Sequence, residues 1–540
     1  MKRAIKKTAS LLSAAAMCGT MLLNFPENSF VLSAFSADSG VAINEDNFPD
    51  ETFREYVKSF DTSGDNILSD EEISAVKTIN VSRNNITSLK GIEYFTYMIS
   101  LNCLENQLTS LDISNNSSLE KLNCNNNQLT SLDVSHNTAL THLYCINNQL
   151  TGLDVSDNTP LTYLSCGDNP LTSLDVSNNA ALTFLYCGNS QLTSLDVSNN
   201  TRLTILSCGD NQLTNLDVSN NLSLTNLDCY NNKLTSLDVS NNSALAYLNF
   251  YTNQLTSIDV SNNTRLANLD CNQNRFTSLD VSNNSTLKHL YCNDNQLTNL
   301  DVSNNTALTA LYCANNQLAS LDVSNNSNLN ELLCDDNQLT DLDVSNNSTL
   351  TYLYCRNNQL TNLDVSNNPT LKSLYCSNNQ LTGIDLSNNN DLSLFDCEQS
   401  KYKIIVNKDT YDLNDFPSSF DVSKASNWKN VTLKDNILTI IDITKPVTYD
   451  YDTGYTGNKT NYKKNTFALT AALLGDVNGD GILNSVDASA ILTYYAVLMT
   501  EQTPTMKFDT SVADYNGDGI INAIDASAIL TYYANSMTSK

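Results

Sequence analysis

"LTHLYCINNQLTGLDVSDNTPLTYLSCGDNP", residues 140–170, carries Cys145 and Cys166, 21 residues apart. The same interval links Cys103, Cys124, Cys145, Cys166, Cys187, Cys208 and Cys229. Phe250 takes the next place, and Cys271 through Cys397 continue the series. An earlier stretch, "VKTINVSRNNI", fits with Val81 in the cysteine place. A fixed period of this length marks an array of stacked units, here about sixteen turns of the pattern LxxLxCxxNxLxxLDVSNN.

The spacing dictates local structure. Leu143 and Cys145 are two apart, so a strand points both inward and leaves His142, Tyr144 and Ile146 on the other side. Asn127, Asn148, Asn169 and Asn211 form a ladder whose amides can satisfy backbone groups at the turn after each strand. A 21-residue period leaves little room for a helix, so short extended or 3₁₀ pieces are expected on the outer side. LxxLxLxxNxL resembles the leucine-rich repeat, and the match runs for some three fifths of the chain. The fold expected is a mainly β solenoid, a leucine-rich repeat horseshoe.

Three roles compete for the cysteines. Disulfides are common in exported proteins, but in-register strands lie ~4.8 Å apart with parallel Cβ vectors, and a disulfide wants Cβ atoms ~3.8 Å apart. A metal site needs thiolates that converge, and a straight ladder does not. Free cysteine also behaves as a small buried hydrophobe. Phe250 and Val81 favour that core role, because apolar residues stand in for cysteine where the ladder breaks. The ladder resembles that of the cysteine-ladder internalins, a surface-adhesion branch of leucine-rich repeat proteins. The resemblance implies binding rather than catalysis.

Outward strand positions collect aromatics: Tyr144, Tyr186, Tyr291, Tyr312, Tyr354 and Tyr375, joined by Tyr163, Phe184, Tyr247, Tyr352, Tyr230 and Tyr251. On a concave face they would form rows suited to a protein or a sugar, since tyrosine offers apolar area with a polar tip. Cross-strand packing alone is the competing role. An aspartate ladder runs from Asp112 to Asp385. Neighbours about 5 Å apart in water repel by roughly 0.8 kcal/mol, so amides, the serines of "LDVS" or cations must offset them.

The 540-residue chain has 29 Lys and Arg against 58 Asp and Glu, a net charge of −29. That argues against nucleic acid and anionic membrane as partners. Lys2, Arg3, Lys6 and Lys7, then "LLSAAAMCGTMLL" and "SAFSA", read as a signal peptide over 1–37, cleaved near Ser36 or Ala37. Met17 stands where a lipidated Cys18 would need a small neighbour. No later segment is long and apolar enough to span a membrane. A secreted protein, attached to a cell surface through other proteins, is expected.

An EF-hand-like cap is expected over 38–75. In "FDTSGDNILSDEE", Asp61, Ser63, Asp65, the Ile67 carbonyl, Ser69 and Glu72 have the 1-3-5-7-9-12 spacing of a calcium loop. Asn66 replaces the usual glycine and tolerates a left-handed turn. The repeats fill 76–400. Residues 401–472 lose the repeat, carry Trp428 and alternate as in "YKIIV", which reads as a small β-rich cap with a hairpin or linker.

Two near-duplicates close the chain, "GDVNGDGILNSVDASAILTYYA" (475–496) and "ADYNGDGIINAIDASAILTYYA" (513–534). Asp476, Asn478, Asp480, the Ile482 carbonyl, Asn484 and Asp487 can supply oxygens to one Ca2+, and Asp514, Asn516, Asp518, the Ile520 carbonyl, Asn522 and Asp525 to a second. A loop followed by one helix, twice, with aspartate closing each loop, resembles the dockerin family over 473–540. The resemblance implies a cohesin partner on a scaffold of a polysaccharide-degrading, cellulosome-like complex. It places the cohesin contacts at Ser485, Val486, Leu492 and Thr493, and at Ala523, Ile524, Leu530 and Thr531.

Dockerins often carry glycoside hydrolases, so catalysis needs a test. The aspartates are mostly repeat-periodic or calcium-loop residues, the histidines lie in the array, and no G-x-S-x-G or H-E-x-x-H occurs. The reading is a non-catalytic binding subunit that holds a protein or a polysaccharide. The alternatives are a surface adhesin and, behind it, a glycoside hydrolase-type subunit.

Overall fold

The structure, a computed structural model, describes residues 40–500 and 508–538. The signal peptide and Cys18 lie outside the described residues. Sixteen short parallel strands, from Thr78–Asn80 to Leu394–Asp396, form one sheet in strict chain order. Each pairs in register with the next turn; Leu206, Leu227, Leu248 and Leu269, for example, align across four strands. Alternation does the rest. The central leucine and the following cysteine are buried, while the residues on either side of the leucine face outward.

All fourteen described cysteines are free and buried. Burial pushes the Cys124 and Cys166 thiols up to about 12. They are therefore neutral core groups. Some donate weakly to the next turn, as Cys124 Sγ does to the Tyr144 carbonyl at 3.4 Å.

The asparagine ladder works as its spacing implies. Asn148 donates from Nδ2 to the Cys124 and Cys145 carbonyls at 3.1 and 3.2 Å, and its Oδ1 accepts from Leu129 N at 3.0 Å. One side chain thus closes its own turn and ties it to the preceding one. A second ladder was not anticipated. The asparagine two places after the "LDVS" serine, such as Asn158, is fully buried, and Asn158 donates to the Val134 and Asn137 carbonyls. The outer side carries no strand or 3₁₀ helix in the regular turns. Two successive i→i+3 hydrogen bonds, Asn137 N to Val134 O and Leu140 N to Asn137 O, replace them there. A 3₁₀ segment does occur in the first turn, at Ile92–Tyr94.

Each ladder aspartate bonds its own turn. Asp175 Oδ1 and Asp196 Oδ1 accept from the amides of Ser177 and Ser198 at 2.9 Å. The serine hydroxyl, then this amide, holds the Asp175 and Asp196 carboxyls below their usual range.

Both ends are sealed. Helices α1 (Glu51–Val57) and α2 (Asp70–Ala75) flank the first calcium-like loop, with Asn66 at φ 64°. At the other end lie a four-stranded sheet and a three-stranded sheet. Within them Trp428 stacks on buried Tyr449, 4.4 Å between centroids. The turn-rich stretch after Tyr449 is a hairpin between Val447–Asp452 and Lys464–Leu473. Its Tyr455 and Tyr462 hydroxyls donate to the Leu392 and Ser393 carbonyls, closing the last repeat. Lys464–Leu473 leads through the first of the paired loops into α3 (Ser485–Met499), and the second loop precedes α4 (Ala523–Thr538).

Candidate functional site

Two sites come from the folded chain, the open face of the parallel sheet and the paired loops after it.

All six tyrosines selected from the sequence stand half-buried on the open face. They do not make one continuous row. Towards the N-terminal end, His142, Tyr144, Tyr163 and Phe184 run ring to ring, ending in a parallel Tyr163–Phe184 stack at 4.0 Å. Tyr186 lies apart, donating to Asp168 at 2.9 Å. Towards the C-terminal end, Tyr291 meets Tyr312 at 4.8 Å and Tyr354 meets Tyr375 at 4.7 Å. Between these pairs Leu333 takes the aromatic place, and Glu331 accepts from the Tyr312 hydroxyl. Tyr312, Glu331, Leu333, Tyr352 and Tyr354 line a shallow cavity of about 290 Å³. Arg356 sits over the Tyr375 ring at 5.0 Å and pairs with Asp335 at 3.1 Å.

The middle of the face differs, and selecting tyrosines from the sequence missed it. Asp228, Asn249 and Asp270 occupy one register position on three successive strands. Burial raises the pKa of Asp228 and of Asp270 to about 6, and among the described residues no basic side chain forms an ion pair with either. The legible signal was the turn itself, because Phe250 there breaks the cysteine ladder.

In the loop before α3, Asp476 Oδ1 and Oδ2 accept from the amides of Gly479 and Gly481. Asp480 Oδ1 accepts from Ile482 N. The closing Asp487 is fully buried, and its Oδ1 has no partner. Burial raises its pKa, and the charges of Asp476 and Asp480 add to the effect. The loop before α4 repeats the pattern, with Asp514 accepting from Gly517 and Gly519 and Asp525 from Asn516 and Asn522. Asn478 and Asn516 occupy the third place, and Asn484 and Asn522 the ninth. Among the described residues no three acidic, histidine or cysteine side chains converge on one point. The donor set still fits calcium, since it is all oxygen in both loops and, in the first, leaves a buried carboxylate oxygen of Asp487 unpaired.

The N-terminal loop is in a different state. Glu72 accepts from Thr62 N and Oγ1, Ser63 N, and Ser69 N and Oγ. Those bonds, led by that from Ser69, hold its pKa at about 2. Asp61 is likewise taken up by Ser63, Gly64 and Asn66, and Asp65 by Ile67 N.

Ser485, Val486, Leu492, Thr493, Ala523, Ile524, Leu530 and Thr531 are all exposed. The two halves are not equivalent in their surroundings. The first loop faces Ile443, Thr444 and Ala471–Leu473 across a cavity of about 300 Å³. Lys403 Nζ also reaches Asp509 and Ser511 at 2.5 Å. A β-carbon added at Gly519 of the second loop would meet nothing within 4 Å, whereas one at Gly481 would lie 3.6 Å from Thr444.

Comparison with known proteins bears on the dockerin segment and on the repeat fold. Residues 474–532 match the dockerin type I domain. No curated protein sequence matches the chain. Among solved structures, the functional domain of InlJ from Listeria monocytogenes, which includes a cysteine ladder, is 34% identical with a TM-score of 0.70. That match covers 80% of this chain and 99% of InlJ's. A leucine-rich repeat protein from Leptospira interrogans is 25% identical with a TM-score of 0.55, over 64% of this chain and 92% of its own. The chain belongs to the cysteine-ladder internalin family of leucine-rich repeat proteins and carries a type I dockerin domain.

Proposed function

We propose that this is a secreted, non-catalytic binding subunit. Its sheet face holds a protein or polysaccharide, and its dockerin docks it onto a cohesin-bearing scaffold of a polysaccharide-degrading complex. The observation that carries this reading is the pairing of two modules on one chain. One is a long sheet face with half-exposed aromatics. The other is a dockerin whose eight expected contact residues are all exposed. Such half-exposed tyrosines suit a binding surface.

We assign a calcium ion to each dockerin loop, held by the oxygens of Asp476, Asn478, Asp480, Ile482, Asn484 and Asp487 and of their counterparts from Asp514 to Asp525. Glu72 is already saturated by internal donors, so the N-terminal loop is assigned as a metal-independent cap. Among the described residues no helix is long and apolar enough to cross a membrane.

The test is a pull-down with the full chain in calcium, against insoluble plant polysaccharides and against a secretome. Retention on a glycan, lost in a Tyr291→Ala, Tyr312→Ala, Tyr354→Ala triple variant, supports substrate targeting. Clean capture of a protein without glycan binding supports an adhesin or adaptor. A triple variant that behaves as wild type in both assays removes the face reading.

A further inference from the structure

Three neighbouring strands, Asn226–Asp228, Tyr247–Asn249 and Asn268–Asp270, have a distinct chemistry. Each turn offers the open face three side chains, on either side of the leucine and just after the cysteine place. All nine are asparagine, aspartate or tyrosine. At the same three positions, from the His142 strand to the Glu331 strand, there is no lysine or arginine.

The polar atoms divide into acceptors and donors. Asp228 Oδ1 is buried without a partner, and Oδ2 accepts from Ser207 Oγ at 3.3 Å, with the Tyr230 amide also acting on this carboxylate. Asp270 accepts from Asn272 N at 3.1 Å and from nothing else. Asn226 spends its carbonyl on Thr225 Oγ1 and Asn272 spends its own on Asn293 N. Their Nδ2 groups remain as donors with no acceptor among the described residues.

Beside them is an apolar platform. Tyr230 lies flat on Gly209, where a β-carbon would stand 2.3 Å from the ring. Its other face stacks on Tyr251 at 4.8 Å and 7°. Among the described residues no further ring stacks on Tyr251, and Asn272 holds the same place in the next turn.

A metal ion does not fit this pattern. Asp228 and Asp270 are two strands apart, about 9.6 Å by strand spacing, while calcium needs oxygens at ~2.4 Å. A basic peptide would engage the carboxylates through its cations and the amides through its carbonyls, but its backbone brings no saturated ring to the tyrosine face. An acidic polymer would meet carboxylates and no cation. Sugar hydroxyls both donate and accept, and the C–H face of a pyranose suits a tyrosine ring. We propose that these turns bind a neutral carbohydrate chain, with one sugar ring stacked on the Tyr251 ring and its hydroxyls shared between the Asp270 carboxylate and the Asn272 amide. This rests on the sheet face being the ligand face.

The test is calorimetric titration of the full chain, in calcium, with cellohexaose, xylohexaose, mannohexaose and, as the acidic control, hexagalacturonate. One or more of the neutral hexaoses binds and hexagalacturonate does not. Tyr251→Ala and Asn272→Ala each weaken binding by about tenfold or more. Tyr251→Phe, which keeps the ring, binds as wild type and controls for folding. No neutral hexaose binding at millimolar concentration overturns the proposal, as does binding of oligolysine alone. Binding lost in Tyr312→Ala and Tyr354→Ala but kept in Tyr251→Ala overturns this site and leaves the general face reading intact.

Discussion

Phe250 and Phe276 meet edge to face, with ring centroids 6.1 Å apart and planes at 62°. Phe250 stands where the turns on either side have cysteine, and Phe276 where they have leucine. Both are fully buried. The pair enlarges the core at the turn whose Asn249 and Tyr251 reach the open face.

The first prediction follows. Phe250→Cys restores the ladder's consensus, yet it leaves Phe276 facing a void. Lost transfer energy and the cavity together should cost about 2–4 kcal/mol. Denaturant unfolding measures it. A variant as stable as wild type would mean that the neighbouring turns close the gap, and that the phenylalanine pair is a neutral substitution.

Asn148 anchors three backbone groups in two turns, so Asn148→Ala strands buried carbonyls and an amide. The expected loss is about 2–4 kcal/mol. The chain holds a natural counterpart at Ser190, which occupies the same place. There Leu171 N turns to the Asn169 carbonyl instead, at 2.8 Å. Ser190→Asn should return donors to the Cys166 and Cys187 carbonyls and stabilise the array by about 1 kcal/mol. Equal melting of Ser190→Asn and wild type would show that the local rearrangement already compensates.

What the sequence disclosed depended on periodicity. Leu143, Cys145 and Asn148 recur, so their burial and bonding were readable from spacing alone. The second ladder at Asn158 recurs equally, but its role was not, because a solvent-exposed asparagine in a turn has the same spacing. Asp228 and Asp270 were hidden for the opposite reason. They sit at variable positions, and only the register places them on either side of Asn249. Likewise Glu72 and Asp487 close similar loops in sequence. Only the hydrogen bonds show that one carboxylate is saturated and the other is not.

A third prediction concerns pH. Asp270 is raised from an ordinary carboxyl to about 6 by burial. Its folded form holds the proton more tightly than the unfolded chain does. The linked stability is fully present below the unfolded pKa and is lost as pH rises through about 6. Asp270→Asn removes the charge and keeps the oxygen that accepts from Asn272 N. Its melting temperature should exceed that of wild type at pH 7.5 and converge with it near pH 4. A difference that is constant with pH would place the effect in packing rather than ionisation.

The last prediction separates the dockerin from the array. Asp487 is buried with an unpaired oxygen, and burial together with the charges of Asp476 and Asp480 raises its pKa, so without a cation its ionised form is disfavoured. The small core around Ile491 and Ile529 is distinct from the continuous core of the repeats. A small metal-coupled unit should therefore unfold alone when calcium is removed, while stacked turns keep their nearest-neighbour contacts. Chelation, monitored by circular dichroism, should remove helical signal and cohesin binding and leave the array's thermal transition unchanged. Asp487→Ala should do the same in the presence of calcium. Lys403 reaches Asp509 and Ser511 across the junction, so Lys403→Ala should loosen the dockerin against the cap without lowering its calcium affinity. If chelation also shifts the array's transition, the two cores are energetically coupled through this junction, and the dockerin is part of the cap rather than a module appended to it.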